Sequence, residues 1–122
     1  MGISLSLYLP CNFDIINNKY STNTNVSKSS NLYHFNFIKL MNNNNYIFNS
    51  LNDISNIIIN DKCNIKYCDG FFARNKFVGI CDYLIAFTFN NNSIPKPGGT
   101  LNTWNKSKCI NKIHFNIDNL FF

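Results

Sequence analysis

The segment CDYLIAFTFNNNSIPKPGGTLNTW, residues 81–104, contains the longest apolar run of the chain, its only Gly-Gly pair and its only tryptophan. Residues 82–89 (DYLIAFTF) predict a β-strand, because they are rich in aromatic and aliphatic side chains and include neither Gly nor Pro. Nearly every position in this run is apolar. We therefore expect the strand to be buried on both faces, like a strand in the middle of a parallel sheet.

A glycine-rich turn follows this strand. Residues 95–99 (PKPGG) cannot continue regular structure, and Thr100 is expected to cap a short helix over residues 101–108. A strand, a glycine-rich turn and a helix start in this order can bind an anion, because the glycines let the backbone approach the ligand and the first N–H groups of the helix point at negative charge. The alternative for a Gly-Gly pair after proline is a loop without a ligand.

Three further strands and three further helices are expected around this segment. Alternating strands and helices predict a single α/β domain, residues 1–122, with a Rossmann-like parallel sheet of about four strands and helices on both faces. Residues 11–30 and 42–49 are polar and are expected to be flexible loops. The other strands are expected at residues 3–9, 64–68 and 112–117, and the helices at 31–41 (capped by Ser29 and Ser30), 51–61 (capped by Ser50) and 71–80.

The expected topology brings two polar segments together. Ligands of parallel sheets bind beyond the carboxyl ends of the strands, so Arg74 and Asn75 are expected at the same rim as residues 98–100. An arginine that faces a helix N-terminus makes a good phosphate clamp, and Arg74 is the only arginine in a chain that otherwise uses lysine. The alternative for Arg74 is a surface salt bridge with Asp69.

Composition restricts the classes of function. The 122 residues carry a net charge of +5, but the lysines are scattered rather than clustered, so a nucleic-acid partner is not expected. Five cysteines without a CxxC pair argue against a disulfide framework and against a zinc site at Cys63 and Cys68, and they predict reduced thiols in the cytoplasm. No apolar run approaches the roughly 20 residues of a membrane-spanning helix. Asparagine is unusually frequent, mainly in the expected loops.

Three motifs together resemble the SLOG superfamily, the Rossmann-like group of Smf/DprA DNA-processing proteins and LOG phosphoribohydrolases. They are FFARN (71–75), CDYLIAF (81–87) and PGGTLNTWNK (97–106), and small protist, viral and phage members are the most similar. The resemblance implies a parallel sheet between helices and a nucleotide or nucleotide-derived ligand; the cofactor is not identified. The ligand contacts that it implies are Arg74, Asn75, Gly98, Gly99, Thr100, Thr103 and Trp104.

Two departures from the family pattern bear on activity. Thr103 stands where the LOG enzymes have a glutamate that takes part in cleaving an N-glycosidic bond, and threonine is not a general acid or base at neutral pH. No GGxxGAD-type turn precedes the first strand, which implies a partial domain with an uncovered sheet edge that favours a homo-oligomer. We therefore expect binding of a nucleotide-like small molecule without catalysis. The alternatives are a LOG-like nucleotide hydrolase and a degenerate domain without activity.

Overall fold

Two pairs of parallel strands form the framework of the computed structural model, which describes residues 4–21, 23–60 and 63–121. The chain divides into two compact units, Met1–Gly70 (unit 1) and Phe71–Phe122 (unit 2). The helices and the parallel strands confirm a mixed α/β fold. The expectation that the chain forms one domain stays a prediction.

Unit 1 is built on the parallel pair of β1 and β4. Ser6 pairs with Asn64 and Leu9 pairs with Tyr67. Beyond the pair, the N–H of Gly70 donates to the carbonyl of Pro10 at 2.8 Å, so the two chain segments that leave the strands stay adjacent. The elements of this unit are β1 (Ser6–Leu9), β2 (Phe13–Asp14), β3 (Lys19–Tyr20), α1 (Asn25–Asn43), α2 (Ser50–Asn60) and β4 (Asn64–Tyr67).

The core of unit 1 lies where β1, β3 and α2 meet. Leu9, Tyr20, Leu51 and Ile54 are all buried and form one cluster. The apolar side chains of α2 recur at helical spacing, so the helix buries one face against the strands. The short antiparallel pair of β2 and β3 carries Tyr20 into this core.

The prediction that residues 11–30 form a loop is wrong. They form β2, β3 and the first turns of α1, because Thr24 caps that helix with a capping box. The Thr24 hydroxyl accepts the N–H of Ser27 at 3.1 Å, and the Thr24 N–H donates to the Ser27 hydroxyl at 3.3 Å. Ser29 and Ser30, the predicted caps, lie inside the helix, where Ser30 donates to the carbonyl of Val26.

Two other predicted boundaries move in unit 1. Asn42 and Asn43 belong to α1 rather than to the loop at residues 42–49. The residue that caps α2 is Asn49 and not the predicted Ser50. The Oδ1 atom of Asn49 accepts the N–H of Asn52 at 3.0 Å. The predicted strand start at Ile3 and helix end at Asp61 lie outside the described residues.

Unit 2 is built on the parallel pair of β5 and β6, which runs from Tyr83 opposite Asn111 to Thr88 opposite Asn116. Helix α4 packs against both α3 and β5. The elements are α3 (Phe71–Val78), β5 (Tyr83–Thr88), α4 (Gly99–Lys106), β6 (Asn111–Asn116) and α5 (Asp118–Phe121), of which only α5 was not expected.

The expectation that β5 is buried on both faces is wrong. Its burial alternates: Leu84, Ala86 and Thr88 are buried, whereas Tyr83 and Phe87 are exposed. Within unit 2, α4 packs on β5, and Phe87 on the exposed face stacks on Phe115 of β6 with ring centroids 5.6 Å apart. Although β5 is almost uniformly apolar, only the face that carries Leu84, Ala86 and Thr88 is covered in this unit.

All four expected strands are present, as the parallel pairs β1–β4 and β5–β6. The described residues contain one more two-stranded sheet, the antiparallel pair β2–β3. No helix in the described part of the chain is long and apolar enough to cross a membrane.

Candidate functional site

A cavity of about 260 Å³ in unit 2 collects most of the predicted site residues. It lies where α3, β5 and the first turn of α4 meet. Five of the seven predicted ligand contacts line it: Arg74, Asn75, Gly99, Thr100 and Thr103.

Helix α3 supplies the cationic side of the cavity. Arg74 is half-buried, and its guanidinium lies 5.8 Å from the centre of the Phe71 ring. Its Nε donates to Oδ1 of Asn75 at 3.1 Å. Asn75 is buried. Packing therefore limits the rotamers of Asn75, and the bond to Nε limits the orientation of the guanidinium.

The start of α4 supplies the opposite side. Gly98 is the N-cap residue, with φ 145°, and no side chain caps the helix. The prediction that Thr100 is the cap is wrong, because Thr100 lies inside the first turn. A helix leaves its first N–H groups without acceptors inside the helix and carries a partial positive charge at this end. Gly99 and Thr100 bring that helix end to the cavity wall.

Thr103 connects the first turn of α4 to the next one. Its hydroxyl donates to the carbonyl of Gly99 at 3.1 Å, and the residue is buried. Because its hydroxyl proton is used in this bond, the oxygen offers an acceptor, or a donor only after rotation, to a ligand. Thr103 therefore holds the turn that presents Gly99.

The loop that precedes α4 is anchored rather than freely solvated. The Thr88 hydroxyl, at the end of β5, donates to Oδ1 of Asn90 at 2.6 Å and accepts the N–H of Lys96 at 3.4 Å. Asn90 Nδ2 also donates to the carbonyl of Ile94 at 3.2 Å, and the side chain of Pro95 is fully buried. These contacts determine where the Gly-Gly turn stands relative to the strand.

Two predicted contacts, Gly98 and Trp104, do not line this cavity. Gly98 contributes its backbone as the N-cap of α4. Trp104 belongs to the other end of that helix, where Lys112 Nζ donates to its carbonyl at 2.6 Å and lies 5.7 Å from its ring centre. The TWNK segment is thereby bonded to β6.

Sequence reasoning missed the apolar floor of the cavity. Leu84 and Ala86 of β5 and Val78 of α3 line it. Strand alternation around Leu84 would have identified the floor, but the uniformly apolar run concealed that alternation. The cavity thus combines an apolar floor with cationic and N–H-rich sides, which is suited to binding an anion with an organic body.

Two cysteines of unit 2 lie close together at the opposite end of β5. Burial raises the pKa of the Cys81 thiol, and the neighbouring Cys109 thiol raises it further. Cys109 Sγ donates to the carbonyl of Asp82 at 3.0 Å. Across residues 4–21, 23–60 and 63–121, no group of three or more His, Cys, Asp or Glu side chains is arranged to hold a metal ion.

Comparison with known proteins adds one relative. Uncharacterized protein R261 of Acanthamoeba polyphaga mimivirus is 39% identical over 114 residues, which cover 93% of this chain and 57% of that protein. The chain therefore spans little more than half the length of this relative. No protein-family profile and no solved structure matches the chain.

Proposed function

We propose that unit 2 binds the phosphate-bearing part of a nucleotide or nucleotide-derived ligand and does not cleave it. The observation that carries the proposal is that Arg74 and the first turn of α4 line the same cavity. An arginine fork and a helix N-terminus are both well suited to bind a phosphate.

The dimensions of the cavity match a part of such a ligand. Small-molecule sites commonly enclose about 300–1,000 Å³, and this cavity of about 260 Å³ falls just below that range. It suits a phosphate and an attached sugar, while a base would lie at the mouth. The apolar floor at Leu84 and Ala86 is suited to the carbon face of the sugar.

The lining supports binding over hydrolysis. Among the described residues that line the cavity, none is Asp, Glu, His or Cys. Cleavage of an N-glycosidic bond needs a proton donor or acceptor close to the scissile bond. Thr103, which stands at the position of the LOG glutamate, is already bonded to the carbonyl of Gly99.

The proposal includes membership of the SLOG superfamily and a Rossmann-like parallel sheet of about four strands. Two parallel strand pairs with intervening helices support that sheet. Its uncovered edge would pair two copies of the chain. All five cysteines are free thiols, which supports a cytoplasmic location.

A thermal-shift titration tests the binding. AMP, ADP-ribose and inorganic phosphate are added to the wild type, and we expect at least one to raise the melting temperature, because a ligand selective for the native state stabilises it by mass action. Arg74→Ala should abolish the shift. Lys39→Ala removes the same charge from the exposed surface of α1 and should retain it.

The outcomes separate binding from catalysis. A wild type that no ligand stabilises, or an Arg74→Ala variant stabilised as much as the wild type, contradicts the proposal. Release of ribose 5-phosphate from AMP in the same samples would instead establish the hydrolase alternative.

A further inference from the structure

A second cavity in unit 2, of about 580 Å³, is lined by α3, by α4 and by the segments that follow these two helices. It shares Asn75 and Thr103 with the candidate phosphate site as common walls, but the other residues that line it are different. Arg74, Gly99 and Thr100 do not line it. This second cavity has no part in the function proposed above.

The walls of the second cavity are mainly apolar and open to solvent. Phe72 on α3 and Ile80 after it both line the cavity, and their side chains are 67% and 79% exposed. Large apolar side chains that are this exposed on adjoining walls are typical of a surface that binds a ligand or partner, because covering them removes apolar area from water. The volume falls within the range of small-molecule sites.

Three lysines stand around these apolar walls. Lys76, Lys106 and Lys108 line the cavity, and all three side chains are exposed. Lys106 Nζ lies 5.4 Å from the centre of the Phe72 ring, so an ammonium group and an apolar wall are in direct contact. Among the described residues that line the cavity, none is acidic.

The charge distribution of the chain favours an anion at this place. Unit 2 contains six Lys and Arg residues against two Asp residues, and half of these cations line the second cavity. Lysines in the last turn of a helix also offset the helix dipole, which accounts for Lys76 and Lys106 by themselves. It does not account for the exposed Phe72 and Ile80 beside them.

We propose that the second cavity binds an amphipathic anion: a small molecule with one apolar body, held against Phe72 and Ile80, and one anionic headgroup, held by the three lysines. Apolar contact and charge act at opposite ends of such a molecule. A neutral molecule with the same body loses the headgroup contacts, and a small anion without the body loses the wall contacts.

Octanoate is a suitable probe, with octan-1-ol and acetate as its matched partial ligands. We expect octanoate to bind in calorimetric titrations, octan-1-ol to bind roughly tenfold more weakly, since several exposed charge contacts are lost, and acetate to give no heat of binding. Added salt should weaken octanoate binding, since exposed charges are screened. In an amide-proton NMR titration, the largest shifts should fall on Gly79, Ile80 and Ser107.

A triple variant tests the headgroup contacts. Changing Lys76, Lys106 and Lys108 to Gln should weaken octanoate binding about tenfold or more. The control changes Lys28, Lys39 and Lys96 to Gln, which removes the same charge from exposed positions outside both cavities and should leave octanoate affinity unchanged. Circular dichroism establishes that both triple variants are folded.

Four results would overturn the proposal: no octanoate binding to the wild type, equal binding by the two triple variants, equal affinity for octanoate and octan-1-ol, or loss of octanoate binding in Arg74→Ala. Arg74→Ala must retain octanoate binding. If it loses that binding, the anion occupies the smaller cavity, and the second cavity is not an anion site. Failure of the nucleotide titrations has no bearing on the octanoate result.

Discussion

Arg74 donates through Nε to Oδ1 of Asn75, its own neighbour on α3, at 3.1 Å. Side chains of adjacent helical residues normally diverge, so this bond turns the guanidinium toward the buried amide. Both residues line the cavity at the start of α4. Asn75 therefore positions Arg74.

Asn75→Ala is expected to weaken binding of the stabilising nucleotide about fivefold, because the guanidinium loses the acceptor that orients it. Asn75→Asp restores an acceptor but adds a negative charge beside the anion, so it should bind no better than the Ala variant. Calorimetric titration of each folded variant measures the effect. If Asn75→Asp binds as the wild type does, the orienting bond is sufficient and the charge argument is wrong.

Adjacent glycines at the start of α4 should respond differently to alanine. Gly98 has φ 145°, a conformation that L-residues rarely adopt, so Gly98→Ala should destabilise the protein by about 1–3 kcal/mol. A Cβ on Gly99 meets no atom within 4 Å, so Gly99→Ala should keep or slightly raise stability.

The same Gly99→Ala variant should lose nucleotide binding, because the new methyl group occupies the cavity wall where the backbone approaches the ligand. Urea unfolding and nucleotide titration are measured on the same samples. A stable Gly99→Ala variant with wild-type affinity would mean that the ligand does not contact the start of α4.

Asn31 in unit 1 joins α1 to β3 through its side chain. Its Oδ1 accepts the N–H of Tyr20 at 2.8 Å, and its Nδ2 donates to the carbonyl of Tyr20 at 3.0 Å, with both residues buried. Asn31→Ala removes both hydrogen bonds to the buried backbone of Tyr20 and should cost about 2–3 kcal/mol of unfolding free energy.

The control for this prediction is Asn36→Ala, an exposed position on the same helix, which should change stability by less than about 0.5 kcal/mol. Urea denaturation compares the two variants. Equal urea midpoints for the two variants would show that the two hydrogen bonds of Asn31 make no net contribution to stability.

Acid should destabilise the protein through His34, because burial lowers the pKa of its imidazole below the ordinary value of 6.5. The native state then binds fewer protons than the unfolded state. This stabilising contribution is present above about pH 6.5 and is lost as the pH falls through the folded-state pKa. His34 Nδ1 lies 2.7 Å from the hydroxyl of Ser50, and the His34 ring lies 5.7 Å from that of Tyr20, so protonation charges a packed site.

Unfolding midpoints at pH 7.5 and pH 5 measure this effect. The wild type should lose more stability between the two pH values than His34→Gln, which cannot be protonated in this range. Equal losses in the two proteins would assign the acid sensitivity to other groups.

The order of the four long strands and the four long helices follows from local patterns. Strand β1 alternates apolar and polar residues, α2 repeats its apolar residues at helical spacing, and the Gly-Gly pair ends the loop before α4. The hairpin of β2 and β3 could not be predicted, because its strands have two residues each and its polar sequence is typical of a loop. Its Tyr20 is held by Asn31, eleven positions away along the chain.

The candidate site divides in the same way. Residue type alone predicts the anion-binding groups, Arg74 and the glycine turn, because an arginine fork can hold a phosphate and glycines let the backbone approach it. The expected topology predicts that Arg74 and residues 98–100 share one rim. The tertiary structure was needed to add the apolar floor at Leu84 to that cavity and to bond Trp104 to β6 instead. It also turned one face of β5 to solvent and opened the second cavity. Those features depend on how α4 packs against α3 and β5. Contacts between residues that are distant in the sequence determine this packing, so local patterns cannot predict it.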